Sequence, residues 1–183
     1  MSFTSQKLSA LFTTHSIHYS LFLLLNFLWA CGQNSQPICT QKTAISLLDS
    51  VFQSYTSVDE FQTRYSYINT TRVQSQDYPP NGKCEGYSYT TINARYKHQG
   101  IDGELIINFY NNQLCSVAFL PPDSTQYLKI LCQQSQICLD AQAELFNNKA
   151  LIRKANIAEK GFAVIWEDHC IMQELNGFIL RCS

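Results

Sequence analysis

The chain has 183 residues, with 13 Lys and Arg against 14 Asp and Glu, for a net charge of −1. That balance leaves no basic stripe for a phosphate backbone, so nucleic acid is excluded as the expected partner. With 45% hydrophobic and only 15% charged residues, the chain is too apolar for disorder and long enough to bury a core of its own.

The first element is a short apolar run, Leu21 to Ala30, interrupted only by Asn26. A membrane-spanning helix needs about 20 apolar residues, so this run is too short to cross. It fits the apolar centre of a secretory signal, about 7–15 residues long. The segment before the run carries Lys7 and no acid, the first acid of the chain being Asp49, and small or polar residues follow the run at once from Gly32 to Ser35. Residues 1–31 therefore read as a signal peptide. Ala30 and Gly32 suit a general signal peptidase that would release Gln33. The alternative cleavage lies at Leu28-Trp29-Ala30-Cys31, which resembles the lipobox of bacterial lipoproteins. That resemblance implies an acylated Cys31, a lipid anchor in the membrane and no soluble release. Gly32 in place of an Asp implies the outer membrane, facing the periplasm. Because one acyl chain holds a membrane only marginally, the several chains of such an anchor matter.

Residues 32–40 form a polar tether, and 41–183 a single domain. Ile45, Leu48, Phe52 and Tyr55 recur at helical spacing. Ser57 and Glu60 make a capping box for a second helix through Phe61, Tyr65 and Ile68. Two helices so closely joined predict an antiparallel hairpin. Residues 75–86, with Pro-Pro and Asn-Gly, read as a loop. Asn69-Thr70-Thr71 matches the glycosylation sequon, which matters only in a eukaryotic secreted protein.

Strands follow at Tyr87–Lys97 and through the alternating Leu105, Ile107 and Phe109. A return strand carries Cys115, Val117 and Phe119. A two-residue turn at Asn111-Asn112 sets Phe109 opposite Leu114; a three-residue turn sets it opposite Cys115, Ile107 opposite Val117 and Leu105 opposite Phe119. The second register makes one apolar face and is the expected one, with Cys115 in the core. Tyr87, Tyr89 and Thr91 share a strand face, expected to pack under the helical hairpin, the alternative being an exposed protein- or glycan-binding surface. Asp123, with Gln126, caps a helix whose stripe is Tyr127, Leu128, Ile130 and Leu131. Within 135–157, "LDAQAELF" fits a helix and "KALIRKANI" a strand. Phe162, Val164 and Trp166 alternate, Glu167-Asp168 turn, Ile171–Leu175 return, and Asn176-Gly177 predicts a type I′ turn into a last strand.

The expected fold is α+β, an αα-hairpin packed on an antiparallel sheet. "FYNNQLCSVAF" and "IWEDHCIMQEL" suggest a helix-plus-sheet unit occurring twice, over 41–121 and 122–183, although two ordinary hairpins explain the echo equally well. The element order of the first half is similar to the helical-hairpin-on-sheet subunit of the outer-membrane barrel-assembly machinery and to the repeat of the secreted β-lactamase-inhibitor protein. The likeness is one of order alone and assigns no functional residue.

Beyond Cys31 stand Cys39, Cys84, Cys115, Cys132, Cys138, Cys170 and Cys182. None forms a CxxC pair and two histidines remain, so no metal site and no cofactor are expected. In an oxidising compartment these cysteines form disulfides, with one left over. Cys132 and Cys138 are the best local pair. Cys170 and Cys182 fall on opposite faces of the expected hairpin and should not bond to each other. No catalytic residue is assigned. His169-Cys170 reads as a turn histidine beside a disulfide, His98 as a surface residue, and Asp102, Glu104, Glu167 and Asp168 as solvated acids. The expected function is a non-enzymatic, disulfide-stabilised binding domain of the cell envelope, whose partner is an envelope protein or wall component. The alternatives are a secreted inhibitor or effector and, third, a small hydrolase or thiol enzyme.

Overall fold

The computed structural model describes residues 39, 42–80, 82, 84–139, 144–147 and 150–182, all within the compact unit Cys39–Ser183. The signal segment and Cys31 lie outside the described residues, as do most of the tether and part of the 135–157 segment. Two short strands, β1 (Ser46–Leu47) and β2 (Phe52–Gln53), precede helix α1 (Val58–Arg64). Then come β3 (Asn69–Tyr78), β4 (Tyr87–His98), β5 (Ile101–Tyr110), β6 (Gln113–Leu120) and α2 (Ser124–Ser135). The chain continues through β7 (Glu144–Asn147), β8 (Ala150–Ile157) and β9 (Gly161–Asp168) to α3 (His169–Cys182). Seven strands pair antiparallel in the order β3-β4-β5-β6-β9-β8-β7, and β1 and β2 pair separately. Among the described residues no helix is long and apolar enough to cross a membrane.

The fold is therefore β-rich, and the expected αα-hairpin is absent. Ile45 to Tyr55 does not form a helix: Leu47 pairs with Phe52 across a turn in which Leu48, Asp49 and Ser50 all have positive φ. The helical spacing misleads because a tight hairpin buries the same residues, with Leu47, Leu48 and Phe52 all fully buried. Ser54 ties the hairpin closed: its N–H donates to the Ile45 carbonyl at 2.9 Å, and its Oγ accepts from Ile45 N at 2.9 Å. Ser57 does cap α1, its Oγ accepting from Glu60 N at 3.2 Å, but the helix ends at Arg64. From Asn69 the chain is already strand. All ten residues of β3 are exposed at the sheet edge, so it has no apolar face to alternate, and its last part reads in sequence as loop. The first half holds one helix of seven residues and the second holds two, of 12 and 14 residues, so the expected pair of αα-hairpins on sheets is not what the chain forms.

The β5–β6 hairpin combines both registers. Asn111 and Asn112 make a two-residue turn with φ of 47° and 59°, a conformation asparagine tolerates better than most residues. Phe109 accordingly faces Leu114. A bulge then restores Ile107 opposite Val117 and Leu105 opposite Phe119. The extra residue at the bulge is Cys115, which is buried not in the main core but in a second cluster with Tyr110, Ile171 and Leu175. The bulge preserves the apolar face and moves Cys115 off it. On the main face these strands pack against the β1–β2 hairpin, α1 and α2, with Phe52, Phe61, Tyr127 and Trp166 fully or almost fully buried. Gly103 keeps β5 close to β6, since a Cβ there would lie 2.5 Å from Phe119 Cζ and 2.6 Å from Leu120 O.

The expected last hairpin is instead the 14-residue helix α3. Asp168 is not a turn residue but its cap: Oδ1 accepts from Cys170 N at 2.9 Å and Ile171 N at 3.2 Å. Asn176-Gly177 lies inside the helix, where a glycine costs about 1 kcal/mol relative to alanine. Disulfides hold both ends: Cys39–Cys170 at the start and Cys84–Cys182 at the finish. Cys170 and Cys182 do not bond to each other, but the reason differs from the expected one. Twelve residues on a helix separate them by about 18 Å. A Cβ at Gly177 would meet only the Arg181 Nη1 at 3.3 Å, the flexible end of a side chain. Gly177→Ala is thus expected to raise the melting temperature by about 2–4 °C in a thermal scan.

Candidate functional site

Three consecutive residues of the β1–β2 turn, Leu48, Asp49 and Ser50, have φ of 47°, 53° and 72°. Each costs about 1 kcal/mol or more for a residue with a Cβ, so the turn persists only because its surroundings over-determine it. Leu48 is anchored in the core. Asp49 is held by its carboxylate. Oδ2 accepts from Gln99 Nε2 at 2.9 Å and from Ser135 Oγ at 2.5 Å. Gln99 Nε2 also reaches Ser135 Oγ at 3.0 Å, closing a ring of three polar side chains. Gln99 arrives from the β4–β5 turn, with φ of 52° ahead of Gly100 at 80°. Ser135 arrives at the C-terminal end of α2, where Gln136 is a left-handed cap and the Cys132–Cys138 disulfide spans the helix end.

Behind Asp49 lies His98. Its Nε2 is 3.2 Å from Asp49 Oδ2, close enough for charge but off the line of a full hydrogen bond. With Nε2–H turned to Asp49, Nδ1 accepts from the Tyr127 hydroxyl at 2.6 Å. The ring stands edge-on to Trp166, centroids 5.8 Å apart, and to Phe119 at 5.5 Å. His98 is 4% exposed and Tyr127 fully buried, so the expectation of a surface histidine is overturned. The strand end reads as exposed in sequence, but α2 and the β1–β2 turn both close over it. Burial pushes the Tyr127 phenol far up, and the Asp49 charge adds to this. For Asp49, burial alone would raise the carboxyl; the contacts from His98, Ser135 and Gln99 outweigh it and leave the carboxyl below its ordinary value of 3.8. A lowered folded pKa contributes stability that is complete above the unfolded value and lost as pH falls through the folded one. The stability difference between the native chain and Asp49→Asn is therefore expected to hold from neutrality down to about pH 4 and to shrink below it, as read by denaturant midpoints across that range.

Asp49 also lines a cleft of about 290 Å³. Its rim carries the exposed Ser46, Ser50 and Asn147, and its floor the buried Ile45, Ile137, Ile152 and Trp166. No Lys or Arg is among the described lining residues. Oδ1 of Asp49 takes no hydrogen bond from the described residues, and the buried Trp166 Nε1 has no acceptor among them. The chain of Asp49, His98 and Tyr127 runs inward from the cleft. Both histidine nitrogens face protein groups, so the imidazole cannot take a proton from anything in the cleft. The arrangement orients a carboxylate; it does not activate a nucleophile.

The residues singled out in sequence fall elsewhere. Cys39, Cys84, Cys132, Cys138, Cys170 and Cys182 are in three disulfides, Cys132 with Cys138 among them. Cys115 is the free cysteine among the described residues, its thiol pushed up to about 12 mainly by burial. Cys170 is bonded to Cys39, so no His169-Cys170 thiol dyad exists, and the His169 ring packs on Phe146. Asp102 pairs with Lys97 at 3.4 Å, and Glu104 with Lys160. Glu167 is not solvated: it is buried and takes a two-pronged bond from Arg153, both arms 2.9 Å. Tyr87 and Tyr89 pack under α3 rather than a helical hairpin, Tyr87 edge-on to Phe178 at 5.1 Å. Sequence reasoning missed Asp49, Gln99 and Ser135. The signal for Asp49 was an acid inside the apolar run "SLLDSVF". The chain matches no family model, no curated protein and no solved structure.

Proposed function

We propose that this chain is a non-enzymatic binding protein of the cell envelope, anchored by lipid on Cys31 and presenting a disulfide-stabilised domain that takes a small ligand in the Asp49 cleft. The observation that carries the binding half is the treatment of Asp49. A strained turn holds its carboxylate, three side chains lie against one oxygen, the other takes no hydrogen bond from the described residues, and Asp49 lines the cleft. Strain of this kind accumulates where geometry serves recognition. A cleft just under 300 Å³ suits a small molecule or a single side chain of a larger partner, such as an envelope protein or wall component. The envelope half rests on the short apolar run ending at Cys31 and on the three disulfides, which belong to an oxidising compartment.

Two measurements test it. Cys31→Ala should move the protein from the detergent phase to the soluble fraction, and the native protein should carry the mass of its acyl chains. A mature chain beginning at Gln33 with no added mass would make it a secreted protein. For the cleft, a ligand that raises the melting temperature of the native chain should lose that effect in Asp49→Asn.

A further inference from the structure

We infer that the free edge of β3 docks an extended segment of a partner protein, which joins the sheet as a further strand and sets an acidic residue against Arg72 and Arg95 and an apolar one against Val73. β3 pairs only with β4, and all ten of its residues are exposed. Its amides and carbonyls that point away from β4 have no strand to bond. Native edges are guarded by shortness, by Lys or Pro, or by bulges. The opposite edge, β7, is four residues long. β3 carries neither Lys nor Pro, and its one bulge, at Thr71, lies near its start. From Arg72 to Tyr78 the register with β4 is unbroken. Such an edge is a template for strand addition. It is separate from the Asp49 cleft, to whose lining β3 contributes no residue.

Charge and burial set the chemistry of the added strand. Val73 lies opposite the buried Ile92, so it extends the apolar face of the main core to the edge, where it is still 45% exposed. Arg72 lies opposite Asn93 and so points to the other face, where Arg95 is its diagonal neighbour, about 7–8 Å away along the sheet. Neither arginine is in an ion pair with a described residue. Glu104 stands opposite Arg95 but is taken by Lys160, which also donates to Asn93 Oδ1 at 2.9 Å, and Asp102 is taken by Lys97. Asp140 is the only Asp or Glu outside the described residues, and it follows Leu139, which is buried in the main core on the opposite face. Arg72 also borders a groove of about 400 Å³ that runs from β3 past Asn93 to Lys160. A carboxylate on the added strand answers both arginines, and the residue beside it covers Val73. A second copy of β3 does not supply that acid. Residues facing each other across an antiparallel pair share a face, so a two-fold pairing of β3 with itself matches even positions with even. Arg72 then meets Gln74, Gln76, Tyr78 or itself, and never Asp77, the one acid of the strand.

The test follows the amide resonances of the isotope-labelled full chain as the acetylated, amidated peptide Ser-Thr-Val-Glu-Val-Thr-Ser is added. Its valines and its glutamate alternate between faces as Val73 and Arg72 do. The peptide should shift the amides from Arg72 to Tyr78 saturably. With Gln in place of Glu it should bind about fivefold more weakly, and with Lys more weakly still. With both valines replaced by proline it should not bind, because proline cannot join a ladder. Arg72→Glu combined with Arg95→Gln should invert the order, so that the Lys peptide binds best. Both positions are exposed and outside the core, so the variant keeps the fold. The inference is overturned by β3 amides that do not move up to about 5 mM peptide, by equal binding of the Glu, Gln and Lys peptides, or by binding of the proline peptide. Shifts of the same amides on concentrating the protein alone would overturn it too, by making a second copy the occupant. None of these outcomes bears on the Asp49 cleft, whose reading stands or falls with its own variant.

Discussion

Full reduction is expected to unfold the domain, or to bring its denaturation midpoint close to zero denaturant. Cys39–Cys170 and Cys84–Cys182 close loops of 131 and 98 residues, and the chain-entropy model gives each about 5 kcal/mol. The loops overlap, so the two contributions do not simply add. Either one is still as large as the whole stability of a marginal domain, about 5–15 kcal/mol. The two bonds also have a local task. They staple both ends of α3, a helix weakened by Asn176-Gly177, over the buried Cys115 and Tyr110. Cys132–Cys138 spans only six residues and should contribute less, about 2 kcal/mol. Urea unfolding with and without reductant, and of Cys84→Ser and Cys132→Ser separately, checks the order. A midpoint unmoved by complete reduction, or a larger loss from Cys132→Ser than from Cys84→Ser, would contradict it.

His98→Ala is expected to cost about 3–5 kcal/mol. A histidine at a strand end that faced solvent would change stability by about 0.5 kcal/mol or less when replaced. Here the ring is buried between Phe119, Tyr127 and Trp166. Its loss leaves a cavity, an unpaired Tyr127 hydroxyl and an Asp49 carboxylate with one neighbour fewer. Tyr127→Phe removes only the hydroxyl and leaves His98 Nδ1 unsatisfied, so it should cost less, about 1–3 kcal/mol. Denaturant unfolding of the two variants separates the readings, because a surface histidine predicts no ordering between them.

The parts of the fold that sequence made legible are those where one apolar face repeats without competition. Leu105, Ile107 and Phe109 on β5 and Val117 and Phe119 on β6 alternate onto the main core, and α2 begins where Asp123 caps it, accepting from Gln126 N at 2.9 Å. The parts that were not legible share a different property: distant residues decide them. Ile45–Tyr55 has helical spacing, yet Leu48–Ser50 take left-handed conformations because Gln99 and Ser135 hold Asp49. Asn176-Gly177 is a strong local turn signal, yet the Asp168 cap and two disulfides from far upstream impose a helix. β3 has no buried face, so nothing in its pattern marked it. The candidate site lies where these non-local effects meet. Tyr127 was legible as a buried stripe residue, but not as the partner of His98, 29 residues away.

Trp166 offers the most direct view of the central claim, that the Asp49 cleft is a binding site. The chain has two tryptophans, Trp29 and Trp166, and Trp166 lines the cleft. In the full chain carrying Trp29→Phe, the single indole N–H resonance reports that floor alone. A panel of small amines, alcohols, acids and saccharides should include at least one class that shifts this resonance saturably, with the shift abolished by Asp49→Asn. A resonance that no class moves, or that moves alike with and without the Asp49 carboxylate, would contradict the account.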